Sequence, residues 1–190
     1  MNRTFWLALG LAGYFGLVFP ARADEALDWY LRGNDLSRAG RYTEAVDAYL
    51  KAIQKNPRAT GPFYNLGIAF KKLRQYDRAV AAFEAARQRE PENLHVRFQL
   101  GSTYNLMERW QEAIGHLNYV VHRAPNHAEA HGNLGWAYLN YDRGPPFKLL
   151  VILNLEKAAR LFEQQGLHEA AQATRETLNQ ARKKFGYDAP

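Results

Sequence analysis

One cluster in this chain has the residue types and spacing of a metal site. His122, His127 and His131 fall within the stretch HRAPNHAEAH, with Glu129 between the last two. His127 and His131 are four residues apart, so on a helix their imidazoles lie one turn apart on one face. Imidazole with a carboxylate suits zinc or copper, and such a chain would deliver a metal. The plainer reading is of three surface histidines in a loop and a first helical turn, so these are weak candidates and no metal site is expected. The sequence offers no other reactive constellation. It contains no cysteine, which removes thiolate nucleophiles, thiolate metal sites and disulfides. It has no G-x-S-x-G, no H-E-x-x-H and no phosphate-cradling glycine loop. Neither catalysis nor a cofactor is expected.

The 190 residues suffice for one domain or a short array, and 47% are apolar, enough for a buried core. The formal charge of +6 permits an acidic partner or an anionic membrane surface. The basic residues do not gather on one face, which argues against nucleic acid.

The N-terminal stretch, residues 1–23, reads as a targeting segment. Arg3 precedes the apolar run FWLALGLAGYFGLVF, residues 5 to 19, which Pro20 and Ala21-Arg22-Ala23 follow. The run is short for a membrane span, and the A-x-A triplet fits signal cleavage after Ala23. An uncleaved anchor is the competing reading. The expected compartment is exported: the periplasm or thylakoid lumen of a bacterium, with room for membrane association. Pro20 is expected to break the helix.

The rest of the chain carries an internal period. Gly33, Gly67, Gly101 and Gly135 are evenly spaced, and Pro57, Pro91 and Pro125 keep the same step, as do Ala45, Ala79 and Ala113. Tyr49, Phe83 and Leu117 follow the alanines by four. A repeat of about 34 residues marks a stacked array of identical units. The second unit, TGPFYNLGIAFKKLRQYDRAVAAFEAARQREP, sets Leu66-Gly67, Phe70, Ala79, Phe83, Ala86 and Pro91 at their places. A glycine inside a helix costs about 1 kcal/mol relative to alanine. Gly67 is worth that cost if a second helix packs directly against it.

These residues resemble the tetratricopeptide repeat (TPR) family, over about residues 26 to 141. The resemblance implies an all-α fold, an α-solenoid of about four helix–turn–helix units. The expected units are 26–59, 60–93, 94–127 and 128–165, with a capping helix at 167–184, within a single domain 24–186 and a tail at 187–190. Unit four breaks pattern: Phe147 stands where alanine is expected, and Ala158 and Phe162 restore the pattern eleven residues late. This predicts one long helix from about 146 to 165. A degenerate fifth unit built from Ala158, Leu161 and Ala170 is the alternative.

The resemblance also implies a concave groove, lined by the first helix of each unit, that holds an extended peptide or a partner helix. The inward places give Tyr30, Asn34 and Arg38; Tyr64, Asn65, Ile68, Lys71 and Lys72; His95, Phe98, Gln99, Ser102 and Asn105; and Glu129, Asn133, Trp136 and Asn140. Tyr30, Tyr64 and Phe98 recur at one place as an aromatic strip. Asn34 and Asn65 match asparagines that grip acidic chaperone tails in other TPR domains. Tyr30, His95 and Gln99, however, stand where that clamp has Lys, Lys and Arg, so the clamp itself is not implied. The segment FKLLVILNL adds a candidate partner patch of Phe147, Leu150, Val151 and Leu153, or a surface that the cap covers. The expected function is a protein–protein interaction scaffold or assembly factor. A metal-delivery protein and a permanent accessory subunit of a membrane complex are the alternatives. The sequence does not set the partner or the oligomeric state.

Overall fold

The computed structural model describes residues 19–141 and 147–187. The apolar run expected as a targeting segment lies almost wholly outside the described residues. Among these the chain forms nine α-helices and no strand: α1 (Phe19–Arg38), α2 (Tyr42–Lys55), α3 (Thr60–Lys72), α4 (Tyr76–Arg89), α5 (Leu94–Leu106), α6 (Trp110–Arg123), α7 (Ala128–Asn140), α8 (Lys148–Gln164) and α9 (His168–Phe185). Pro20 does not break α1. The described helix runs from Phe19 through Pro20 and on through Ala21-Arg22-Ala23.

The glycines explain how the helices pair. A Cβ on Gly33 would lie 2.5 Å from the Tyr49 ring, on Gly67 2.5 Å from the Phe83 ring, and on Gly101 2.6 Å from Leu117 Cγ. Each large residue is at most 1% exposed. The alanines one turn earlier, Ala45, Ala79 and Ala113, are fully buried beside them. Bare backbone on one helix therefore seats one large side chain from the next, and the buried apolar area offsets the glycine cost.

Two joints alternate along the chain. Within units one to three the joint has three residues and closes with an N–H to C=O bond of 2.9 Å: Arg41 to Leu36, Gln75 to Phe70 and Arg109 to Tyr104. Its middle residue, Gly40, Arg74 or Glu108, has φ of 74°, 60° or 57°. This is a left-handed helix stop of the Schellman kind. Between units the joint holds Pro57, Pro91 or Pro125 just past the helix end, where proline ends the ladder because it has no N–H to donate.

The joint after α7 is different. It spans 141–147, four residues longer than the three-residue joints. Gly135 still receives a large side chain, but it is Leu155, whose Cδ2 is 2.8 Å from where a Cβ would stand. Val151 is fully buried one turn before it. The register is thus displaced by four residues, not eleven. The spacing Ala158–Phe162 imitates Ala79–Phe83, but Val151–Leu155 has the same spacing and makes the contact.

Ala158 and Phe162 pack further up α7, beside Gly132 rather than Gly135. They share a second apolar cluster with Ala128, Leu161 and Ala171, while Ala170 is only partly buried against it. The joint from α8 to α9 repeats the three-residue stop: Leu167 N–H bonds Phe162 O at 2.9 Å, and Gly166 has φ of 73°. Helix α8 is thus the second helix for α7 and turns into the capping helix α9 as a first helix does.

Candidate functional site

Successive first helices touch one another, α1 with α3, α3 with α5 and α5 with α7. Packing on that side makes it the inner, concave face, with the second helices outside. Its floor is set by the helix positions that lie beside the paired glycines.

At the α1–α3 junction the Asn65 amide donates to Asn34 Oδ1 at 2.7 Å and to the Tyr30 hydroxyl at 3.3 Å. The Tyr49 hydroxyl, reaching in from α2, donates to the same Asn34 Oδ1 at 3.0 Å. Burial pushes the Tyr49 phenol above its ordinary pKa. The two asparagines are joined to each other rather than standing as separate arms. A cleft of about 290 Å³ opens beside them, lined by Asn34, Ser37, Arg38, Asn65 and Ile68 with Tyr49. Gly61 makes room for Tyr30, since a Cβ there would lie 3.1 Å from the phenol oxygen.

At the α3–α5 junction the bridge is cationic. Lys71 Nζ donates to Ser102 Oγ at 2.6 Å and to Gln99 Oε1 at 3.0 Å. Ser102 is buried, and its hydroxyl donates to Gln99 O at 3.3 Å. Burial first, and the charge of Lys72 second, bring the Lys71 amine down to about 8. Lys72 itself is exposed. At the α5–α7 junction the Asn105 amide donates to Asn133 O at 2.9 Å. Its Oδ1 is buried with no partner among the described residues. Ser37, Lys71 and Asn105 keep the same step as the glycines, and that step was the signal available for this series.

The three aromatic residues are half-buried. Tyr30 and Tyr64 lean on rings of their own units, Tyr49 at 6.2 Å and Phe83 at 5.9 Å, while Phe98 meets His127 of the next unit at 4.7 Å. Further along, Asn133 and the exposed Trp136 of α7 face Ala173, Thr174 and Thr177 of α9 across a cleft of about 320 Å³.

The histidines do not converge. His122 is exposed. His127 caps α7 by accepting from Ala130 N–H at 3.4 Å. Both ring nitrogens of His131 are taken, by Asn154 Oδ1 at 2.8 Å and Pro125 O at 3.1 Å. Among the described residues no group of three His, Asp or Glu is placed to hold a metal ion. In the segment 147–155, Val151 and Leu155 are buried, and Phe147 packs on Tyr138 at 5.0 Å. The exposed apolar side chains there are Leu149, Leu150 and Leu153, so Val151 is not part of an outer patch.

Residues 33–74 match the family description "TPR repeat", and 64–117 and 106–141 match "Tetratricopeptide repeat". The chain belongs to the tetratricopeptide repeat family. Among solved structures it is similar to MamA from Desulfovibrio magneticus RS-1, with a TM-score of 0.67 and 20% identity over 85% of this chain and 97% of that one. It is also similar to YrrB, described as a TPR protein with an unusual peptide-binding site, at 0.63 and 18%, over 87% and 93%. A third is the first TPR of Spaghetti (RPAP3), solved bound to the HSP90 peptide SRMEEVD, at 0.59 and 23%, over 60% and 91%. These likenesses show the fold. A curated relative, the peroxisomal targeting signal receptor of Candida albicans, is 40% identical over 55 residues, or 29% of this chain. The match spans only 9% of that receptor.

Proposed function

We propose that this TPR chain is a non-catalytic interaction module that holds an extended segment of a partner protein on its concave face. The observation that carries the reading is the junction series: Asn34–Asn65, Lys71–Gln99 and Asn105–Asn133 set polar groups beside half-buried aromatic rings on one side of the array. Amides satisfy a peptide backbone, and rings take its apolar side chains. Two of the similar structures are described as peptide-binding, which supports the same use. We place the module in an exported compartment, on the strength of residues 1–23, where it assembles or scaffolds a membrane-associated complex.

The test is photo-crosslinking of the full chain in its native membrane extract, with the probe residue at Ile68 in the groove or at Gln111 on α6. Capture from Ile68 but not from Gln111 is the expected result. It should be reduced when Asn34, Asn65 and Phe98 are changed to alanine. Equal capture from both positions overturns the groove. For the compartment, the chain recovered from cells should begin at Asp24; recovery with Met1 in the soluble cytoplasmic fraction refutes export.

The exposed leucines of α8 favour a second reading, a permanent subunit whose fixed neighbour covers Leu149, Leu150 and Leu153. Co-purification at constant stoichiometry through washing distinguishes it from transient binding.

A further inference from the structure

The middle of the concave face holds a half-buried ammonium whose partners are both neutral. Lys71 Nζ has three N–H groups, and two of them go to Gln99 Oε1 and Ser102 Oγ. Among the described residues Lys71 makes no other hydrogen bond and no ion pair with a carboxylate. The neighbouring charge is Lys72, which is like-signed.

Taking an ammonium out of water is costly unless a counter-charge is supplied. The sister positions in the array need no such charge. Ser37 and Asn105 stand one repeat either side, and Asn105 bridges its junction with a neutral amide. A neutral residue would bridge α3 to α5 equally well, so structure alone does not account for the lysine. An incoming anion does. It would meet the remaining N–H, and the other two donors already fix the ammonium in place, so little side-chain freedom is lost on binding.

We propose that Lys71, oriented by Gln99 and Ser102, is an anion seat that takes one carboxylate of the peptide bound in the groove. The inference rests on the groove reading above. The seat is distinct from the places where a chaperone-tail clamp has its cations, since Tyr30, His95 and Gln99 occupy those. A peptide is the occupant because the seat shares the concave face with Asn65 on α3 and with the half-buried Tyr64 and Phe98 rings, which suit a backbone and apolar side chains.

The experiment uses the full chain and a library of random octapeptides with free carboxyl termini. In the tightest binder each carboxylate, the terminal one included, is replaced in turn by a carboxamide, and affinities are measured by calorimetry. One replacement should weaken binding about tenfold, the value of one charge-assisted hydrogen bond. The same replacement should have little effect, below about twofold, on Lys71→Met and on Lys71→Gln; the second variant covers the case in which the first folds poorly. Peptide binding in which no carboxamide replacement matters, or in which every replacement costs both variants as much as the parent, overturns the seat and leaves the groove standing. Failure to bind any octapeptide at about 1 mM, the weak end of measurable affinity, overturns the groove and the seat together.

Discussion

The second and fourth units solve one packing problem at two registers. In the second, Gly67 receives Phe83, sixteen residues later; in the fourth, Gly135 receives Leu155, twenty residues later. The extra four residues fall between the end of α7 at Asn140 and the start of α8 at Lys148. The paired contact is therefore what the fold preserves across a change of spacing. The difference has a cost in α8. Having arrived late, this helix gives Val151 and Leu155 to the pairing with Gly135, and Ala158 and Phe162 fall further along, against Ala128 and Gly132 of α7 and Ala171 of α9.

The widest gap between the units should appear on adding one methyl group. Gly67→Ala drives a Cβ to 2.5 Å from a ring atom of Phe83, which is fully buried and cannot withdraw. A loss of about 2–3 kcal/mol is expected. Gly135→Ala meets the buried Leu155 at 2.8 Å, at Cδ2 and Cγ, a milder overlap, and about 1 kcal/mol is expected. Urea unfolding of the two variants measures both. Equal losses would show that the two contacts are equally tight.

Much of this was legible in the sequence because the contacts that build the array recur at one constant step. The glycines, the alanines and the prolines each report one physical requirement: close approach, a small partner and a helix stop. The register of unit four was not legible, because Val151–Leu155 and Ala158–Phe162 offer the same spacing on one amphipathic helix and only the joint decides between them. The turn stops were half legible. Gly40 announces a left-handed residue, but Arg74 and Glu108 adopt the same conformation with no signature of their own. In the groove the inward positions could be read, but not which of them bond to one another. Asn34 and Asn65, read as two arms for a peptide, turn out to be joined.

That half-hidden turn sets the next comparison. A left-handed residue other than glycine costs about 1–2 kcal/mol. Arg74→Gly should therefore stabilise the chain by about 1 kcal/mol, while Gly40→Ala should lose a similar amount. Both positions are open to solvent, and nothing lies within 4 Å of a Cβ added at Gly40, so backbone conformation alone is tested. Thermal unfolding with no gain for Arg74→Gly would mean that the Arg74 side chain offsets the strain, for which its contact with the Tyr76 hydroxyl at 3.4 Å is the visible candidate.

Lys71 separates the second unit from the third through pH. Its folded-state amine lies at about 8, below the ordinary 10.5, so the folded chain binds this proton less tightly than the unfolded one. Below about pH 8 both states are charged and the penalty is complete; between about 8 and 10.5 the unfolded state holds more protons, and stability rises with pH. Lys71→Met removes the penalty. The side chain is only half-buried and has two hydrogen bonds, so a gain of about 1 kcal/mol at pH 7 is expected, disappearing above about pH 10. Lys72 is the charge acting on it, and it stays in place, as does Tyr64, whose phenol burial pushes upward. Asn105→Leu in the third unit should show no such pH dependence in the same titration.

The smallest effects on stability belong to the outer face of α8, and they are the most informative about binding. Leu149 and Leu153 are 65% and 50% exposed, while Val151 between them is fully buried. Val151→Ala should cost about 2 kcal/mol, as truncation in a packed core does. Leu149→Gln with Leu153→Gln should stay within about 0.5 kcal/mol, since glutamine keeps helix propensity and little apolar contact is lost. If the concave face alone engages the partner, this double variant should recover the same proteins from a membrane extract as the parent chain. If the leucines are covered by a fixed neighbour, co-purification is lost while the unfolding curve does not move. Loss of binding without loss of stability at those two residues, with Ile68 crosslinks unchanged, would assign the groove and the outer face of α8 to different partners.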